Sequence, residues 1–315
     1  MKRKSIIKRF LWITLILFCL MNLIAYLHAY KFTHFDKAGV VKTKGASHLS
    51  FGQKLKALFA GVNNPRPQAN ELPNEKFETL KLKSNKTIEC WWVPTDAAKG
   101  SVILFHGYGG EKSSMLDKAA IFREMGYNTL LVDFMGAGGS EGNQTTIGYY
   151  EAAQVKTAFD FLNNKGEKNI ILFGTSLGAV AIMKAQKDYH LKPTALLLEC
   201  AFGSMLKTVQ ARFASMNVPS LPMADLLVFW GGVQNGFNAF DHNPIDYAEA
   251  ISIPTLLLYG EKDEKVSRKE IDDIFKNLTG PKKLITYPLA GHENYLNKYR
   301  DNWKADISLF LQGEK

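Results

Sequence analysis

Residues 169–186, NIILFGTSLGAVAIMKAQ, decide the fold of this chain. The apolar run that ends at Phe173 is typical of a buried strand, and the segment after Gly178 has the periodicity of a helix. Ser176 lies between Gly174 and Gly178 in a G-x-S-x-G turn. Glycine lets the backbone turn sharply and keeps Cβ atoms clear, so the Ser176 hydroxyl is expected to project above the sheet at a helix N-terminus. We predict that Ser176 is a nucleophile; the alternative is a plain turn.

Further strand-like runs on both sides of this turn alternate with helical segments. The eight expected strands cover residues 77–83, 87–93, 101–105, 128–132, 169–173, 194–198, 254–259 and 283–287. The expected helices cover residues 113–125, 147–164, 177–188, 267–277 and 294–311. Runs such as VILF, IILF and TLLLY are apolar on both faces, which is typical of parallel strands covered by helices on each side. The sequence therefore predicts an α/β fold with a mostly parallel eight-stranded sheet that binds ligands at the carboxyl ends of its strands.

Residues 200–248 interrupt this alternation. The segment has no clear strand and contains Phe229, Trp230 and Phe237 together with several glycines. It is too short to be expected to form a second domain. We predict a short helical excursion over the strand ends, where lids are commonly found.

Composition and charge exclude several classes of protein. The 315 residues carry a formal charge of +9, but five of the 39 basic residues fall within residues 1–30, which contain no acid. The other basic residues nearly balance the 30 acidic ones and form no basic tract, so no nucleic-acid partner is predicted. Cys19, Cys90 and Cys200 have no CxxC pair and no histidine at ligand spacing, so no zinc module is predicted. At most one disulfide is expected, between Cys90 and Cys200.

An uncharged apolar stretch of 21 residues runs from Phe10 to Tyr30. At a rise of about 1.5 Å per residue it is long enough to cross a bilayer core of about 30 Å. It is longer than the apolar region of a cleaved signal peptide, and no small-x-small cleavage site follows it. We predict a single-pass membrane anchor at residues 10–30, with a cleaved signal and a soluble amphipathic segment as alternatives.

The basic residues of the tail 1–9 predict that this tail is cytoplasmic and that the chain beyond the anchor is extracytoplasmic. Residues 31–75 are expected to connect the anchor to a catalytic domain that comprises residues 76–315. Within the connection, residues 63–73 contain three prolines, which predicts an extended lead-in.

A short helix is also expected in the connection, over residues 45–62. The residues with helical spacing are Leu55, Leu58, Phe59 and Val62. This helix either packs on the main domain or lies on the lipid headgroups.

A nucleophilic serine needs a base to take its proton and an acid to orient that base. In this type of fold the acid and then the histidine follow the serine in the chain. His292 comes shortly after the expected strand 283–287, whereas His242 follows no strand. We predict that His292 is the base and interpret His242 as a surface or loop residue.

Three carboxylates compete for the role of the acid, because the loop after the expected strand 254–259 reads GEKDEKV. We predict Asp263, since Val266 resumes a packed segment directly after it. Glu261 and Glu264 are the alternative acids. A further alternative is that all three carboxylates lie in an exposed charged loop and none has a catalytic role.

A tetrahedral intermediate needs N–H donors directed at its oxyanion. We predict the backbone N–H of Leu177, which follows the nucleophile, and that of Tyr108 in the loop HGYGG after strand 101–105. His106 in this loop is interpreted as a structural, hydrogen-bonded residue. Neither HGYGGEKSS nor DFMGAGGSEG has the spacing of a nucleotide-binding loop, so no nucleotide is predicted.

The motifs HGYGG, DFMGAGGSEG, GTSLG, GEKD and AGHEN together resemble those of the α/β-hydrolase superfamily, over residues 77–311. The finer likeness is to its membrane-anchored, bud-emergence-type branch of serine hydrolases. The resemblance implies the α/β-hydrolase fold and an ester, thioester or lysophospholipid substrate. Met135 stands where members of the superfamily often have an arginine.

The sequence thus predicts a membrane-anchored serine hydrolase with Ser176, Asp263 and His292 as its triad. No metal or organic cofactor is expected, because water can complete the hydrolysis. Its expected partners are an acyl substrate, either a small molecule or a lipid, and the bilayer; the sequence does not determine an oligomeric state. An exported serine peptidase of acylaminoacyl type and a non-catalytic scaffold of the same fold are the alternatives.

Overall fold

The computed structural model describes residues 2–37, 39–41, 43, 50, 52–53 and 61–313. Most of the helix expected at residues 45–62 lies outside these residues. The segment 63–73, which was expected to be extended, contains no helix, and its Pro65 forms an isolated β-bridge with Asp36.

The strands form one sheet of eight. They are β1 (Glu78–Leu82), β2 (Ile88–Val93), β3 (Ser101–Phe105), β4 (Asn128–Val132), β5 (Ile170–Thr175), β6 (Ala195–Glu199), β7 (Thr255–Gly260) and β8 (Lys282–Tyr287). Their order is β1-β2-β4-β3-β5-β6-β7-β8, and every pairing from β4 to β8 is parallel, whereas β2 is antiparallel to both of its neighbours. The predicted mostly parallel sheet is confirmed, with strand ends within two residues of those expected.

The helices follow the predicted alternation. They are α1 (Lys2–Thr33), α2 (Leu116–Glu124), α3 (Glu151–Asn164), α4 (Leu177–Tyr189), α5 (Met205–Ser215), α6 (Met223–Asn235), α7 (Pro244–Tyr247), α8 (Arg268–Asn277) and α9 (Leu296–Leu311). The helix expected from residue 147 begins four residues later. Ile147 and Gly148 both have positive φ angles, +57° and +104°, which an α-helix does not accept.

Helices cover both faces of the sheet, as predicted. α3, α4 and α8 pack on one face, and α2 and α9 pack on the other. On the second face, the ring of Trp303 in α9 meets Phe122 of α2 at 5.6 Å and Phe173 of β5 at 5.8 Å between centroids, both edge to face. The strands are therefore buried between two apolar layers, which explains why they carry so few polar residues.

The segment between β6 and β7 is helical, as predicted for residues 200–248, and consists mainly of α5, α6 and α7. α1 packs along α6: Trp230 Nε1 donates to Asn22 Oδ1 at 3.2 Å, and Gln234 Nε2 donates to the Tyr26 carbonyl at 2.7 Å. Ala25 of α1 is completely buried. The carboxyl-terminal half of α1 is thus packed against the body of the protein.

The rest of α1 is exposed and apolar. By length and composition residues 5–33 are able to cross a membrane, a property that a signal sequence near an N-terminus shares. The helix is therefore compatible with either a membrane anchor or a signal sequence.

The disulfide considered between Cys90 and Cys200 is wrong. Cys90 lies in β2 and Cys200 directly after β6, and three strands separate these two in the sheet. At about 4.8 Å per strand the two cysteines are about 19 Å apart, whereas a disulfide needs Cα atoms within about 7 Å. Both thiols are free and buried.

A buried cation joins the loops that follow β3 and β4. The Lys112 side chain is 2% exposed, and its Nζ lies 2.5 Å from Asp133 Oδ2 and 3.0 Å from Glu89 Oε1. Burial lowers the pKa of Lys112, but the two carboxylates raise it by more, so that it lies above its ordinary value. Lys112 therefore remains charged and holds the two loops together.

We expect Lys112→Met to lower the free energy of unfolding by about 3–5 kcal/mol, because Asp133 would remain buried without its cation. Denaturant unfolding of the full chain in detergent measures this change. Lys298→Met is the matched control, since Lys298 pairs with Glu293 at the surface, where an ion pair contributes about 0–1 kcal/mol. Equal losses in the two variants would contradict the structural role of Lys112.

Candidate active site

Ser176 occupies a strained turn between β5 and α4. Its backbone angles are φ +53° and ψ −110°, which few residues other than glycine adopt. The turn needs the flanking glycines: a Cβ on Gly174 would lie 2.5 Å from the carbonyl carbon of Gly178, and a Cβ on Gly178 would clash with the Phe105 carbonyl oxygen. Ser176 therefore lies at the carboxyl end of β5, in the strand-to-helix turn that the sequence predicts.

The structure brings Ser176, His292 and Asp263 together. His292 Nε2 lies 3.1 Å from Ser176 Oγ, and His292 Nδ1 lies 2.8 Å from Asp263 Oδ2. Because an ionised carboxylate only accepts hydrogen bonds, Nδ1 carries the proton, and Nε2 is free to accept from the serine hydroxyl. This arrangement allows proton transfer from the serine to the imidazole.

Of the three carboxylates after β7, Asp263 alone contacts His292 among the described residues. Its side chain is buried, and its second oxygen accepts from the backbone N–H groups of Lys265 and Val266 at 2.8 and 2.9 Å. Glu261 is exposed and accepts from Thr286, and Glu264 is exposed. The Asp263 carboxylate is therefore held in place by its own loop.

The two expected oxyanion donors lie on either side of the serine. Leu177 directly follows it, and a Cβ on Gly107, the residue before Tyr108, would lie 3.7 Å from Ser176 Cβ. Within residues 61–313 neither the Tyr108 nor the Leu177 N–H donates a hydrogen bond. Their role as oxyanion donors stays a prediction.

The Tyr108 side chain has a role that the sequence analysis missed. Its hydroxyl donates to the Phe32 carbonyl in α1 at 2.8 Å and accepts from Asn64 Nδ2 at 2.7 Å. The last turn of α1 and the lead-in segment therefore contact the residue that carries an expected oxyanion donor. No sequence signal marked this contact, because it joins residues 76 positions apart.

In the loop DFMGAGGSEG, Met135 occupies the position at which members of the superfamily often have an arginine, and a cation from another part of the chain contacts this loop. Met135 is buried, and Arg66 of the lead-in donates instead to the carbonyl oxygens of Gly138, Ser140 and Gly142, at 3.1 Å to the first. A guanidinium with several donors suits such a cluster of carbonyl groups. Arg66 thus fixes this loop from a position that the local motif does not contain.

The two remaining candidate histidines are buried. His106 is structural, as predicted: Phe134 N donates to its Nε2 at 3.1 Å, and its Nδ1 lies 2.8 Å from the Gly107 carbonyl. The interpretation of His242 as a surface or loop residue is correct only in part: it lies in a loop, but it is not at the surface. His242 is fully buried, with Nε2 3.0 Å from the Ile147 carbonyl and Nδ1 2.9 Å from the Tyr247 hydroxyl.

No cluster of metal-ligating side chains occurs in the part of the chain that the structure describes. The polar groups around Ser176 are instead those of a serine, an imidazole, a carboxylate and backbone N–H groups. This set is suited to acyl transfer.

Comparisons with known proteins find similarity to hydrolases. Residues 96–236, which include Tyr108 and Ser176, match the Hydrolase_4 family, described as serine aminopeptidase, S33. Over 290 residues the chain is 25% identical to the alpha/beta hydrolase domain-containing protein WAV2 of Arabidopsis thaliana, covering 86% of this chain and 91% of that protein. Over 227 residues it is 25% identical to the lysophosphatidylserine lipase ABHD12 of Danio rerio, covering 66% and 56%.

A solved structure has the same fold. The Pyrococcus furiosus esterase Pf2001 superimposes with a TM-score of 0.66 at 21% identity, covering 80% of this chain and 98% of that protein. The predicted fold class is confirmed by this similarity together with the sheet order described above.

The burial of His242 predicts a loss of stability in acid. Burial lowers its pKa from about 6.5 to about 4, so between these values the unfolded chain binds a proton that the folded chain does not. The free energy of unfolding therefore falls as the pH falls through this range, by up to about 1.4 kcal/mol per pH unit. Burial lowers the pKa of His106 as well, which adds to the same trend.

We expect His242→Gln to reduce the slope of the unfolding free energy against pH between about 6 and 4. The reduction corresponds to the uptake of up to one proton on unfolding, because the titrating group is removed. Urea unfolding at a series of pH values measures the slope. His190→Gln is the matched control, since His190 is exposed at the end of α4. A slope that stays the same in His242→Gln would contradict a neutral, buried His242.

Proposed function

On the premise that the chain is a member of the α/β-hydrolase superfamily, we propose that it is a membrane-anchored serine hydrolase that cleaves carboxylic ester or thioester bonds through an acyl-enzyme. The observation that carries this proposal is the hydrogen-bonded series from Ser176 through His292 to Asp263, with distances of 3.1 and 2.8 Å. Each group has the partner that its proposed role requires.

In the proposed reaction the Ser176 oxygen attacks the acyl carbon, and His292 Nε2 takes the hydroxyl proton. The N–H groups of Tyr108 and Leu177 donate to the oxyanion that forms. The bond to the leaving group then breaks, and the imidazolium returns its proton to the departing alcohol or thiol. Asp263 stabilises the imidazolium by accepting from Nδ1 throughout.

Water completes the reaction at the same groups. His292 Nε2 takes a proton from water, the resulting hydroxide adds to the acyl carbon, and a second tetrahedral intermediate forms. Its collapse releases the carboxylic acid, and the serine oxygen recovers its proton from His292. Every proton in the two halves thus passes through one imidazole nitrogen.

The packing of α1 supports an anchor that is retained rather than cleaved. Ala25 and Ala29 are buried against the body, and Trp230 and Gln234 of α6 each donate a hydrogen bond to α1. Cleavage after this helix would expose that face of α6. The basic tail 1–9 supports an orientation with the tail in the cytoplasm and the catalytic residues on the other side.

An active site that is held at a membrane favours an amphiphilic acyl donor over a freely diffusing one. The similarity to a protein named as a lysophosphatidylserine lipase supports lysophospholipids or other acyl lipids as the class. The serine aminopeptidase description of the matching family favours a second candidate, an exported peptidase that uses the same triad. Cleavage of aminoacyl p-nitroanilides in preference to acyl esters would select this second candidate.

We expect a fluorophosphonate probe to label the detergent-solubilised chain, because its phosphorus reacts with an activated serine oxygen. Ser176→Ala should abolish both labelling and ester hydrolysis. Ser252→Ala is the matched control: Ser252 is exposed before the start of β7, at the opposite edge of the sheet, and its replacement should change neither. Wild type that is neither labelled nor active would favour the non-catalytic scaffold.

The acid is tested by neutral isosteres at the three competing carboxylates. Asp263→Asn should lower kcat by about 10⁴-fold, because the imidazole loses the partner that sets its tautomer and stabilises its charge. Glu261→Gln and Glu264→Gln, both at exposed positions of the same loop, should change kcat less than about threefold. A large loss in either glutamate variant with an active Asp263→Asn would reassign the acid.

A further inference from the structure

An apolar cavity of about 480 Å³ lies between α1, α5 and α6. Its walls include Ile24 and Phe32 of α1, Phe213 of α5, Met216 directly after α5, and Leu227 and Val228 of α6. A pocket of this size and lining is in the range of sites that bind small apolar ligands. α1 is therefore part of the wall of a cavity, in addition to being an apolar helix at the surface.

Two residues that line the cavity contact Tyr108, which does not itself line it. Phe32 and Arg212 both line the cavity, and both contact this tyrosine: its hydroxyl donates to the Phe32 carbonyl, and the Arg212 guanidinium lies 5.2 Å from its ring centroid. Tyr108 also carries one of the proposed oxyanion donors. The side chain of the residue that carries this donor thus connects the cavity wall with the candidate active site.

The cavity also borders the part of α1 that is expected to lie in the bilayer. Trp230 contacts Asn22, and Gln234 contacts Tyr26, so α1 and α6 run side by side in the same direction. Asn22 precedes Tyr30 by eight residues, or about 12 Å along the helix axis. Asp225 is the one acid of α6 and lies in its first turn, where a helix favours a carboxylate.

α6 also exposes apolar side chains next to α1. Phe229 is 47% exposed and Val233 is 55% exposed. Such side chains beside a spanning helix are suited to contact with lipid, and Trp230 and Tyr26 are of the residue types enriched at membrane interfaces. Two walls of the cavity are therefore elements that would contact the bilayer.

Arg212 is the one residue with a fixed charge in the lining of this cavity. Its guanidinium lies over the rings of Phe32, at 4.8 Å, and Tyr108, at 5.2 Å. It forms no ion pair with a carboxylate of the described residues. A cation that lies against aromatic rings in the wall of an apolar cavity is suited to bind an anion of a ligand.

We infer that this cavity binds the hydrocarbon chain of a single-chain amphiphile that enters from the bilayer between α1 and α6, and that Arg212 binds an anionic group carried beside the ester. The inference rests on the proposed function and adds to it the site of the chain, the route of entry and the charge of the headgroup. It makes α1 a wall of the substrate site as well as an anchor.

Gly231→Phe tests the chain site, because Gly231 lines the cavity and a side chain added there meets open space. The measured quantity is the ratio of kcat/KM for a hexadecanoyl ester to kcat/KM for a butanoyl ester. We expect this ratio to fall about tenfold or more, because the added ring fills the cavity volume that the longer chain would occupy. Val233→Phe places the same ring on the exposed side of the same helix and should leave the ratio within about twofold. An unchanged ratio in Gly231→Phe would overturn the inference.

A second experiment does not depend on catalysis. Dodecyl phosphate with a diazirine at its chain end is irradiated with full-length Ser176→Ala protein in phosphatidylcholine vesicles, and adducts are mapped by mass spectrometry. We expect adducts at Phe213 of α5 or at Met216 directly after it, and we expect them to disappear when Gly231→Phe is added. If these adducts form but the wild type hydrolyses no ester, the proposed function is contradicted and this inference is not. If the wild type is active but the adducts are absent, this inference is contradicted and the proposed function is not.

Arg212→Gln and Arg212→Lys test the anionic group. We expect the ratio of kcat/KM for a lysophosphatidylglycerol to that for a monoacylglycerol of the same chain to fall about tenfold or more in the glutamine variant. The lysine variant should retain part of the preference, because it keeps the charge without the planar fork. An equal loss on both substrates would mean that Arg212 only supports Tyr108, and would overturn its assignment to the headgroup.

Discussion

The strained backbone of Ser176 is the constraint on which the rest of the site depends. A residue with a side chain at φ +53° costs of order 1–3 kcal/mol and persists only where its surroundings determine it. Here β5 precedes it in the middle of the sheet, α4 follows it, and its own N–H donates to the Glu199 carbonyl at 2.7 Å. The side-chain carboxylate of Glu199 is buried and paired with Lys118 and Trp303, which holds in place the residue whose backbone carbonyl supports the turn.

Two cations give the loops around this turn their shape. Lys112 binds the carboxylates of Asp133 and Glu89 between the loops that follow β3 and β4. Arg66 binds the carbonyl oxygens of the loop after β4 from the side of the lead-in. Because Lys112 and Asp133 are both buried, their ion pair is worth more to the arrangement than a surface ion pair would be. The position of Tyr108 depends on the same framework.

α1 links the proposed membrane function to the fold. One half of the helix is exposed and apolar, and the other half packs on α6 and accepts a hydrogen bond from the Tyr108 hydroxyl. An anchor that only tethered the enzyme would need no such contacts. Tyr108, which carries a proposed oxyanion donor, contacts α1, and α1 in turn forms a wall of the cavity. These contacts are the physical basis for treating the bilayer as part of the proposed substrate route.

The sequence by itself determined the strands, most of the helices and the three residues that meet at the site, because each of these carries a local signal. Apolar runs mark buried strands, the glycines around Ser176 mark the turn, and Asp263 and His292 each follow a strand. The order of strands then brings those ends to one edge of the sheet. The late start of α3 is a smaller exception, since the positive φ of Ile147 has no local marker.

The features that depend on contacts between distant segments were decided only by the tertiary structure. It buried His242 within the helical excursion, separated Cys90 from Cys200 by three strands, and placed Arg66 on a loop more than 70 residues away. It also joined α1 to α6 and so created the cavity. The physical reason is the same in each case: such contacts form between segments that are distant in the chain, and their free energy depends on the geometry of the folded body rather than on any local pattern.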